Sequence, residues 1–429
     1  MERFEIEGGR PLVGTVRPAG NKNSALPMLA ATLLADTPTR LRDVPDIGDV
    51  RTMLALLESL GAKVVEEGDG VVVVDPADLR PGPLDRELCA RIRASLLLAG
   101  PLVARFGEVT LPPPGGDTIG RRRNDTHWHA LGALGAELTE GTDGDLCLTA
   151  AGRLHGADVL LDEASVMATE NALMAASLAA GTTVIRNAAS EPHVQDLCHL
   201  LVAMGASISG IGSNLLVVEG AESLSGAEAT ISPDYMEIGS FIGLGAVTAG
   251  DLRIGPLRHD DLRMIISKFD LLGVRVVADG DHLLVPDDQT LEVRDDHGGK
   301  IPRIHEAPWP GFPADLMSIA LVVATQATGT VLLHQWMFES RLYFTDRLIE
   351  MGARIIVADP HRAVITGPTP LVGARLNSPD IRAGMALLMA SLCAEGRSTI
   401  ANIRQIDRGY ERIDEKLRAL GASIVRGEG

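Results

Sequence analysis

The sequence predicts an α/β protein built from six repeated units of helices and strands, three in each of two similar domains. The chain has 429 residues, more than one hydrophobic core usually organises, so two domains are expected. Hydrophobic residues make up 45% of the chain but aromatic residues only 3%, which suits helices and strands packed through Leu, Val, Ile and Ala. A short glycine-centred phrase also recurs six times.

The recurring phrase consists of an apolar residue, Gly, a small residue, one variable position and a β-forming residue. Its glycines are Gly61, Gly135, Gly205, Gly273, Gly352 and Gly421, at successive spacings of 74, 70, 68, 79 and 69 residues. Each copy follows an amphipathic stretch, such as 50–60 or 410–420. The glycine therefore predicts the end of a surface helix that leads into a strand.

A second helix precedes the first in most repeats. It is rich in Ala, Leu and Met, as at 169–180, 316–327 and 381–394, and a turn and a strand follow it. These helices carry few charges on any face, so they are expected to be buried on all sides. Units of about 70 residues exceed the 20 to 50 of a solenoid repeat, which favours two globular halves with a boundary near 220–235.

Charge and composition exclude several classes of protein. The formal net charge of −18 argues against nucleic-acid binding, which depends on Lys and Arg contacts to phosphates. The four cysteines lack metal-ligand spacing and have apolar neighbours, so buried reduced thiols are expected. No window resembles a membrane span or a secretory signal, so we expect a cytoplasmic protein without a membrane partner.

The first candidate site is the turn at 20–27, Gly-Asn-Lys-Asn-Ser-Ala-Leu-Pro, which leads into an apolar helix. It places Lys22 and Asn23 at a helix start, where anions are favoured. The alternative is an ordinary helix cap with a solvated lysine.

The second candidate is the loop at 111–127, called the lid loop below. It contains the glycine pair 115–116, then the acid Asp117, and after it the arginine triplet 121–123, which includes Arg122. An arginine on a glycine-hinged loop can bring a cation to a phosphate or carboxylate and the acid to the reacting atom. The alternative is a solvated surface turn.

Further candidates are isolated charges. Each alone is typical of a surface charge or a helix cap, but several stand where a turn enters a helix of a repeat, and such turns could converge on a cleft. They are Arg93, Asp315, Arg341, Asp380, Arg382 and the charged residues of 407–412, which include Arg408.

Several motifs in order resemble the UDP-N-acetylglucosamine 1-carboxyvinyltransferase family of enolpyruvyl transferases, essentially from end to end. They are Lys22-Asn23, the Pro-Gly-Gly loop through Asp117 and Arg122, Ser165-Val166, Thr169-Glu170-Asn171, Phe312-Pro313-Ala314-Asp315, Phe338-Glu339-Ser340-Arg341 and Asp407-Arg408-Gly409-Tyr410-Glu411-Arg412. The resemblance implies a two-domain inside-out α/β barrel. One domain would span 22–230 and the other 1–21 with 231–429, with the active site in the cleft between them.

The activity that this resemblance implies is enolpyruvyl transfer from phosphoenolpyruvate to the 3′-hydroxyl of UDP-N-acetylglucosamine, the first committed step of peptidoglycan precursor synthesis. Lys22, Arg122 and Arg408 would surround phosphoenolpyruvate. The assisting cations would be Arg93, Arg341 and Arg382, with Asp380 at the same site. The sugar-nucleotide contacts would be Asn23, Asp315, Met337 and the pair Ser165 and Val166. Addition and elimination need an acid, a base and fixed cations, so neither a metal nor an organic cofactor is expected.

Asp117 stands where many family members have a cysteine that acts as general acid and is alkylated by fosfomycin. A carboxyl group can also donate a proton if a closed, desolvated loop keeps it partly protonated. We therefore expect an active enzyme that fosfomycin does not block.

Two other departures put the diphosphate and uridine contacts in doubt. Tyr235 stands where the family often has Arg, and Glu163 stands where some members have Lys. Neither is predicted to bind substrate.

Three alternatives stay open on sequence alone. 5-Enolpyruvylshikimate-3-phosphate synthase shares phosphoenolpyruvate, but its Gly-Asn-Ala-Gly-Thr phrase is absent where this chain reads 93–97, Arg-Ala-Ser-Leu-Leu. A non-catalytic paralogue that binds a sugar nucleotide would have no reason to keep unpaired charges together in a cleft. The third alternative is a cyclase that acts on nucleic-acid ends, and the net negative charge of the chain argues against it. The sequence does not predict the oligomeric state.

Overall fold

The computed structural model describes residues 2–117 and 119–427. These residues form two compact units. Unit 1 comprises 2–19, 119–122 and 233–427, and unit 2 comprises 20–117 and 123–232. Each unit has a hydrophobic core of its own, built mainly from Leu, Ile, Val, Ala and Met.

The described residues form fourteen α-helices. In chain order they are α1 (Lys22–Ala31), α2 (Gly48–Ser59), α3 (Arg86–Cys89), α4 (Ala99–Phe106), α5 (Asp125–Ala133), α6 (Val166–Ala176), α7 (Pro192–Ala203), α8 (Tyr235–Val247), α9 (Arg263–Leu271), α10 (Met317–Gln326), α11 (Thr345–Glu350), α12 (Ile381–Cys393), α13 (Arg404–Asp407) and α14 (Ile413–Ala419).

The same described residues form twenty-three strands. In chain order they are β1 (Arg3–Glu7), β2 (Val13–Val16), β3 (Thr39–Arg42), β4 (Lys63–Gly68), β5 (Val71–Asp75), β6 (Glu108–Leu111), β7 (Glu137–Glu140), β8 (Leu146–Thr149), β9 (Asp158–Leu160), β10 (Thr182–Arg186), β11 (Ser207–Ser209), β12 (Leu215–Glu219), β13 (Glu228–Thr230), β14 (Asp251–Ile254), β15 (Val277–Asp279), β16 (His282–Val285), β17 (Arg303–His305), β18 (Gly329–His334), β19 (Ile355–Asp359), β20 (Arg362–Gly367), β21 (Arg375–Asn377), β22 (Arg397–Ala401) and β23 (Ser423–Gly427).

The strands of the described chain form six sheets, three in each unit. Unit 1 holds β21-β22-β1-β23, β15-β16-β14-β2 and β17-β18-β20-β19, and unit 2 holds β11-β12-β10-β9, β13-β3-β5-β4 and β6-β8-β7. Every four-stranded sheet combines one parallel pair with two antiparallel pairs, as where β17 runs parallel to β18 while β20 pairs antiparallel with β18 and β19. The six-repeat α/β fold class predicted from the sequence is therefore confirmed.

The glycine phrase marks helix ends as predicted. All six of its glycines have a positive φ, between 80° and 113°, which side-chain-bearing residues rarely adopt. A helix of the repeat ends just before each glycine, at Ser59, Ala133, Ala203, Leu271, Glu350 and Ala419. Each glycine therefore ends its helix in the left-handed conformation.

The second helix of the repeats is buried on all sides, also as predicted. Every residue of α12 from Ile381 to Leu392 is buried, and so is every residue of α10 from Met317 to Thr325. In α6 the burial runs from Ala168 to Ala176. Small and aliphatic side chains let these helices pack closely against their neighbours.

One feature differs from the predictions. Instead of one helix over 410–420, the chain forms α13, a turn and then α14, because Arg412 has a φ of 47° and Tyr410 turns into the core. The strands β1, β2 and β13 join sheets whose other strands lie far away in the sequence.

The cysteines differ in burial. Cys89 and Cys198 are buried as expected, whereas Cys147 and Cys393 are only partly buried. No helix in the described part of the chain is long and apolar enough to cross a membrane.

Candidate active site

The start of α1 in unit 2 carries the first predicted substrate residues. The side chain of Asn21 accepts a hydrogen bond from the backbone N–H of Asn23 at 2.8 Å and so caps the helix. Lys22 is the first helical residue, and its ammonium donates to Asp49 Oδ2 at 3.0 Å. The two side chains are only 13% and 7% exposed. A cation at a helix start, held by one carboxylate, is suited to binding an anion.

A buried carboxylate on α7 holds the first turn of α1 in place. Asp196, on α7, accepts hydrogen bonds from Ser24 Oγ at 2.6 Å and from Ser232 Oγ at 2.8 Å. All three side chains are buried. These two hydroxyl donors tie the start of α1 and the 232 segment to α7 through one buried carboxylate. The sequence analysis did not single out Asp49 or Asp196, since each is one acid in an ordinary helix.

Arg93 binds the lid loop at the last residue of its arginine triplet and at the residue after it. It begins a 3-10 helix, Arg93–Leu98. Its guanidinium donates to the backbone carbonyl of Arg123 at 2.9 Å and to Asn124 Oδ1 at 2.5 Å. The predicted phosphoenolpyruvate residue Arg93 therefore also anchors one end of the lid loop within unit 2.

The glycine pair of the lid loop allows a close approach of two backbones. Gly115 donates its N–H to the carbonyl of Cys89 at 2.9 Å, and a Cβ on Gly115 would lie 1.9 Å from the carbonyl oxygen of Ala90. Gly116 has a φ of 115°. Asp117 follows directly in unit 2. Arg122 belongs to unit 1, where the N–H of Ser340 donates to the carbonyl of Ile119 at 3.2 Å.

The motif at 165–171 begins α6. Ser165 Oγ accepts from the N–H of Ala168 at 3.4 Å, and Val166 is the first helical residue. Asn171 donates to His127 Nδ1 at 2.9 Å and accepts from the N–H of Gly100 at 2.8 Å. Burial, assisted by the charge of Arg93, lowers the pKa of His127 to about 3, so this imidazole is neutral. Asn171 thereby ties α5, which follows the lid loop, to α6 and α4.

Three predicted residues meet in unit 1. The carboxylate of Asp315 accepts from Arg341 Nη2 at 2.7 Å with one oxygen and from Arg382 Nε at 2.9 Å with the other. The Arg382 side chain is 5% exposed, and its guanidinium lies 5.3 Å from the centre of the Tyr410 ring. Two guanidinium groups thus hold this carboxylate in one orientation through charge-assisted hydrogen bonds.

Asp380 and Arg408 have local partners in the same unit. Asp380 caps α12, because its Oδ1 accepts from the backbone N–H groups of Arg382 at 2.8 Å and Ala383 at 2.9 Å. Arg408 Nη1 donates to Gln405 Oε1 at 2.8 Å. The cap explains Asp380 structurally, and its predicted contact with substrate stays a prediction.

Met337 leads to a residue that the sequence analysis missed. Its backbone N–H donates to the carboxylate of Glu306, which is completely buried. The amide of Gln335 donates to the same carboxylate at 3.2 Å. Burial raises the pKa of Glu306 to about 7 despite these hydrogen bonds. The short stretch 303–306, which ends in this glutamate, has no sequence pattern that predicts burial of an acid.

The two departures from the family pattern have structural partners. Tyr235 is the first residue of α8 and is 2% exposed, with its ring centre 6.1 Å from that of Trp309. Glu163 lies 3.7 Å from Arg123, which also pairs with Asp125 and Asp162. That neither residue binds substrate stays a prediction.

Comparison with known proteins identifies the family. The family model described as EPSP synthase (3-phosphoshikimate 1-carboxyvinyltransferase) matches residues 6–417. A UDP-N-acetylglucosamine 1-carboxyvinyltransferase of Bradyrhizobium diazoefficiens is 55% identical over 424 residues, covering 99% of this chain and 98% of the relative. One from Treponema denticola is 53% identical over 424 residues, with 99% of both chains covered.

A solved structure agrees with these relatives. The enolpyruvyl transferase NikO from Streptomyces tendae superimposes with a TM-score of 0.89 at 28% identity, covering 100% of this chain and 99% of that one. Full-length identity above 50% is far beyond what a shared fold alone requires. The chain belongs to the enolpyruvyl transferases, and within them to the UDP-N-acetylglucosamine 1-carboxyvinyltransferase family.

Proposed function

We propose that this protein transfers the enolpyruvyl group of phosphoenolpyruvate to the 3′-hydroxyl of UDP-N-acetylglucosamine and releases phosphate, as the first committed step of peptidoglycan precursor synthesis. The observation that carries the proposal is Asp315 held between Arg341 and Arg382, at 2.7 and 2.9 Å, in a chain 55% identical to a named transferase of this kind. Two guanidinium groups hold this carboxylate in one orientation, and a proton acceptor must be positioned in this way.

The reaction is an addition followed by an elimination. The sugar oxygen forms a bond to C2 of phosphoenolpyruvate while its proton leaves to a base and C3 gains a proton from an acid. C3 then loses a proton, the bond from C2 to the phosphate oxygen breaks, and the enol double bond returns. No electrons are exchanged with an oxidant or reductant, so the chemistry requires proton transfer and stabilisation of negative charge.

In this proposal Asp117 is the acid that donates the proton to C3, and Asp315 is the base that removes the proton of the sugar hydroxyl. Lys22, Arg122 and Arg408 are the proposed cations for the phosphate and carboxylate of phosphoenolpyruvate. The capped helix start around Lys22 supports this role, because the ammonium and the N-terminal N–H groups favour an anion together.

The assisting roles are carried over from the resemblance to the family. Arg93, Arg341 and Arg382 are proposed to assist around phosphoenolpyruvate, together with Asp380. The sugar nucleotide is assigned to Asn23, Ser165, Val166 and Met337. That the substrates bind in a cleft between the two domains stays a prediction. We also propose a cytoplasmic location, because both substrates are charged metabolites that do not cross a bilayer unaided.

The experiment is phosphate release by the purified protein given phosphoenolpyruvate with either UDP-N-acetylglucosamine or shikimate-3-phosphate. We expect release only with the nucleotide sugar, and loss of release in Asp117→Ala. Asp260→Ala serves as control, because this aspartate is 82% exposed and pairs only with a surface arginine in the described structure. Release with shikimate-3-phosphate would favour the synthase alternative, and no release with either acceptor would favour a non-catalytic paralogue.

A further inference from the structure

Glu306 connects two segments that carry proposed substrate residues. It follows β17, its backbone carbonyl accepts from the indole N–H of Trp336 at 2.8 Å, and its carboxylate accepts from the N–H of Met337. The next residue, Ala307, donates its N–H to the carbonyl of Phe312 at 3.1 Å, three residues before Asp315. The carboxylate therefore lies where the 335–337 segment meets the segment that leads to Asp315.

The 335–337 segment has no regular secondary structure, so its position depends on side-chain partners. Gln335 donates its side-chain amide to Glu306 at 3.2 Å. Its backbone N–H donates to the carbonyl of His361 at 2.7 Å, and its own carbonyl lies 2.8 Å from Nδ1 of the His361 ring. The Met337 N–H points into the protein at an acceptor that is 0% exposed. A hydrogen bond to an ionised acceptor is roughly twice as strong as one to a neutral acceptor.

Several titratable and charged groups surround this carboxylate. Arg341 favours its ionised form, and Asp315 opposes it. His305 precedes it in the chain, His334 ends β18, and His361 contacts Gln335. Burial lowers the pKa of both His305 and His334, so these imidazoles resist protonation. Glu306 is thus a buried acid among groups of both signs.

We propose that Glu306 is a positioning residue for the acceptor substrate: its ionised carboxylate holds the Met337 backbone and so fixes the 335–337 segment, beside Asp315, for binding of UDP-N-acetylglucosamine. This inference rests on the proposed function, in which Met337 and Asp315 contact the sugar nucleotide. Glu306 itself touches neither substrate. Its action on binding passes through the segment that it holds.

The proposal makes binding of the acceptor depend on pH with a defined sign. Because the pKa of Glu306 is raised to about 7, the carboxylate is ionised above that pH and protonated below it. If only the ionised form holds the segment, the Kd for UDP-N-acetylglucosamine rises about tenfold between pH 8 and pH 6. Binding of phosphoenolpyruvate would lack this dependence.

The test is titration calorimetry with UDP-N-acetylglucosamine at pH 6, 7 and 8, using the wild type and Glu306→Gln. The variant keeps the shape and one acceptor oxygen but carries no charge. We expect its Kd to be about tenfold higher than that of the wild type at pH 8 and constant across this range, with the KM for phosphoenolpyruvate within twofold. Glu350→Gln, at an exposed glutamate, should retain the wild-type profile.

Three results would overturn the inference. One is a wild-type Kd that changes less than twofold between pH 6 and pH 8, which decides the matter even if Glu306→Gln does not fold. Another is a pH dependence that persists in Glu306→Gln, which would assign it to the histidines. A wild type that neither binds UDP-N-acetylglucosamine nor releases phosphate would contradict the proposed function and this inference together, whereas the other two results contradict the inference alone.

Discussion

The ammonium of Lys22 lies 3.0 Å from the carboxylate of Asp49, and both side chains are nearly withdrawn from solvent. The lysine therefore sits at the N-terminus of α1 in a fixed rotamer with its own counter-ion. Fixing a cation before the substrate arrives lowers the entropy lost on binding and in the transition state. Asp49 is in this sense part of the candidate site, although the sequence analysis assigned it no role.

Removing this counter-ion should therefore weaken use of phosphoenolpyruvate. In Asp49→Ala we expect kcat/KM for phosphoenolpyruvate to fall roughly 10- to 100-fold, because the freed lysine loses its orientation, and the free energy of unfolding to fall by about 1–3 kcal/mol. Steady-state kinetics and urea denaturation measure the two effects. Asp46→Ala, at an exposed aspartate paired with Arg51, should change stability by less than about 0.5 kcal/mol. Unchanged kinetics in Asp49→Ala would show that Lys22 acts without its partner.

The carboxyl group at the lid loop predicts resistance to fosfomycin. Incubation of the wild type with fosfomycin should leave both its activity and its intact mass unchanged, since Asp117 offers no thiol to alkylate. Asp117→Cys should gain one covalent adduct by mass spectrometry and lose its activity with time. Two of the native cysteines are buried, and burial raises the pKa of Cys89 to about 11 and of Cys198 to about 12. An adduct on the wild type at residue 117 or loss of its activity would contradict the prediction.

The regular parts of the fold could be predicted from the sequence because they depend on local patterns. The glycine that ends a helix can be recognised from a pattern of about five residues. A helix without charged faces can be recognised from a stretch of about twelve residues. The strands β1, β2 and β13 could not be placed in the same way. Their partners lie far away in the chain, and pairing over such distances depends on the whole fold rather than on the strand's own residues.

The candidate site divides along the same line. Lys22, Asp315 and Arg382 stand in recognisable motifs, whereas Asp49, Asp196 and Glu306 are single acids whose partners come from other elements. Burial of an acid is set by what packs over it, which no local pattern reports. Asp380 shows the reverse case, since its position where a turn enters a helix was visible in the sequence and the structure shows it capping α12. Its contact with substrate stays a prediction.

The buried imidazole of His127 should make stability depend on pH. Its pKa is lowered to about 3 in the folded protein, mainly by burial, while an unfolded histidine titrates near 6.5. Below pH 6.5 the unfolded state therefore binds more protons, and the contribution to stability decreases as the pH falls. Between pH 7 and pH 5 this loss amounts to about 2 kcal/mol.

Substitution of that histidine tests the assignment. Denaturant unfolding of His127→Gln at both pH values should show a decrease in stability about 2 kcal/mol smaller than that of the wild type. His199→Gln, at an exposed histidine on α7, should keep the wild-type dependence. An unchanged pH dependence in His127→Gln would mean that other groups destabilise the protein in acid.

Two glycines close to each other in sequence should respond to alanine in opposite ways. A Cβ on Gly115 would meet the backbone oxygen of Ala90 at 1.9 Å, whereas a Cβ on Gly132, in α5, would meet no atom within 4 Å in the described structure. Gly115→Ala should lower the free energy of unfolding by about 1–3 kcal/mol and kcat at least tenfold, because Asp117 is displaced. Gly132→Ala should stabilise the protein by about 0.5–1 kcal/mol and leave kcat unchanged. Equal stability of the two variants would contradict the close approach at Gly115.

Asp315 can act on the sugar hydroxyl as a base or as a positioning group, and its replacement by asparagine distinguishes the two roles. Asparagine in its place retains one oxygen that can accept from Arg341 or Arg382, but it cannot take a proton. If Asp315 removes the proton of the sugar hydroxyl, Asp315→Asn should lower kcat roughly 10²- to 10⁴-fold, the usual contribution of general base catalysis. The KM for phosphoenolpyruvate should change less than threefold, since the arginines remain. Stopped-flow measurement of phosphate release in the first turnover separates this loss from slow product release. A large rise in KM for UDP-N-acetylglucosamine with little change in kcat would instead assign Asp315 to positioning the acceptor.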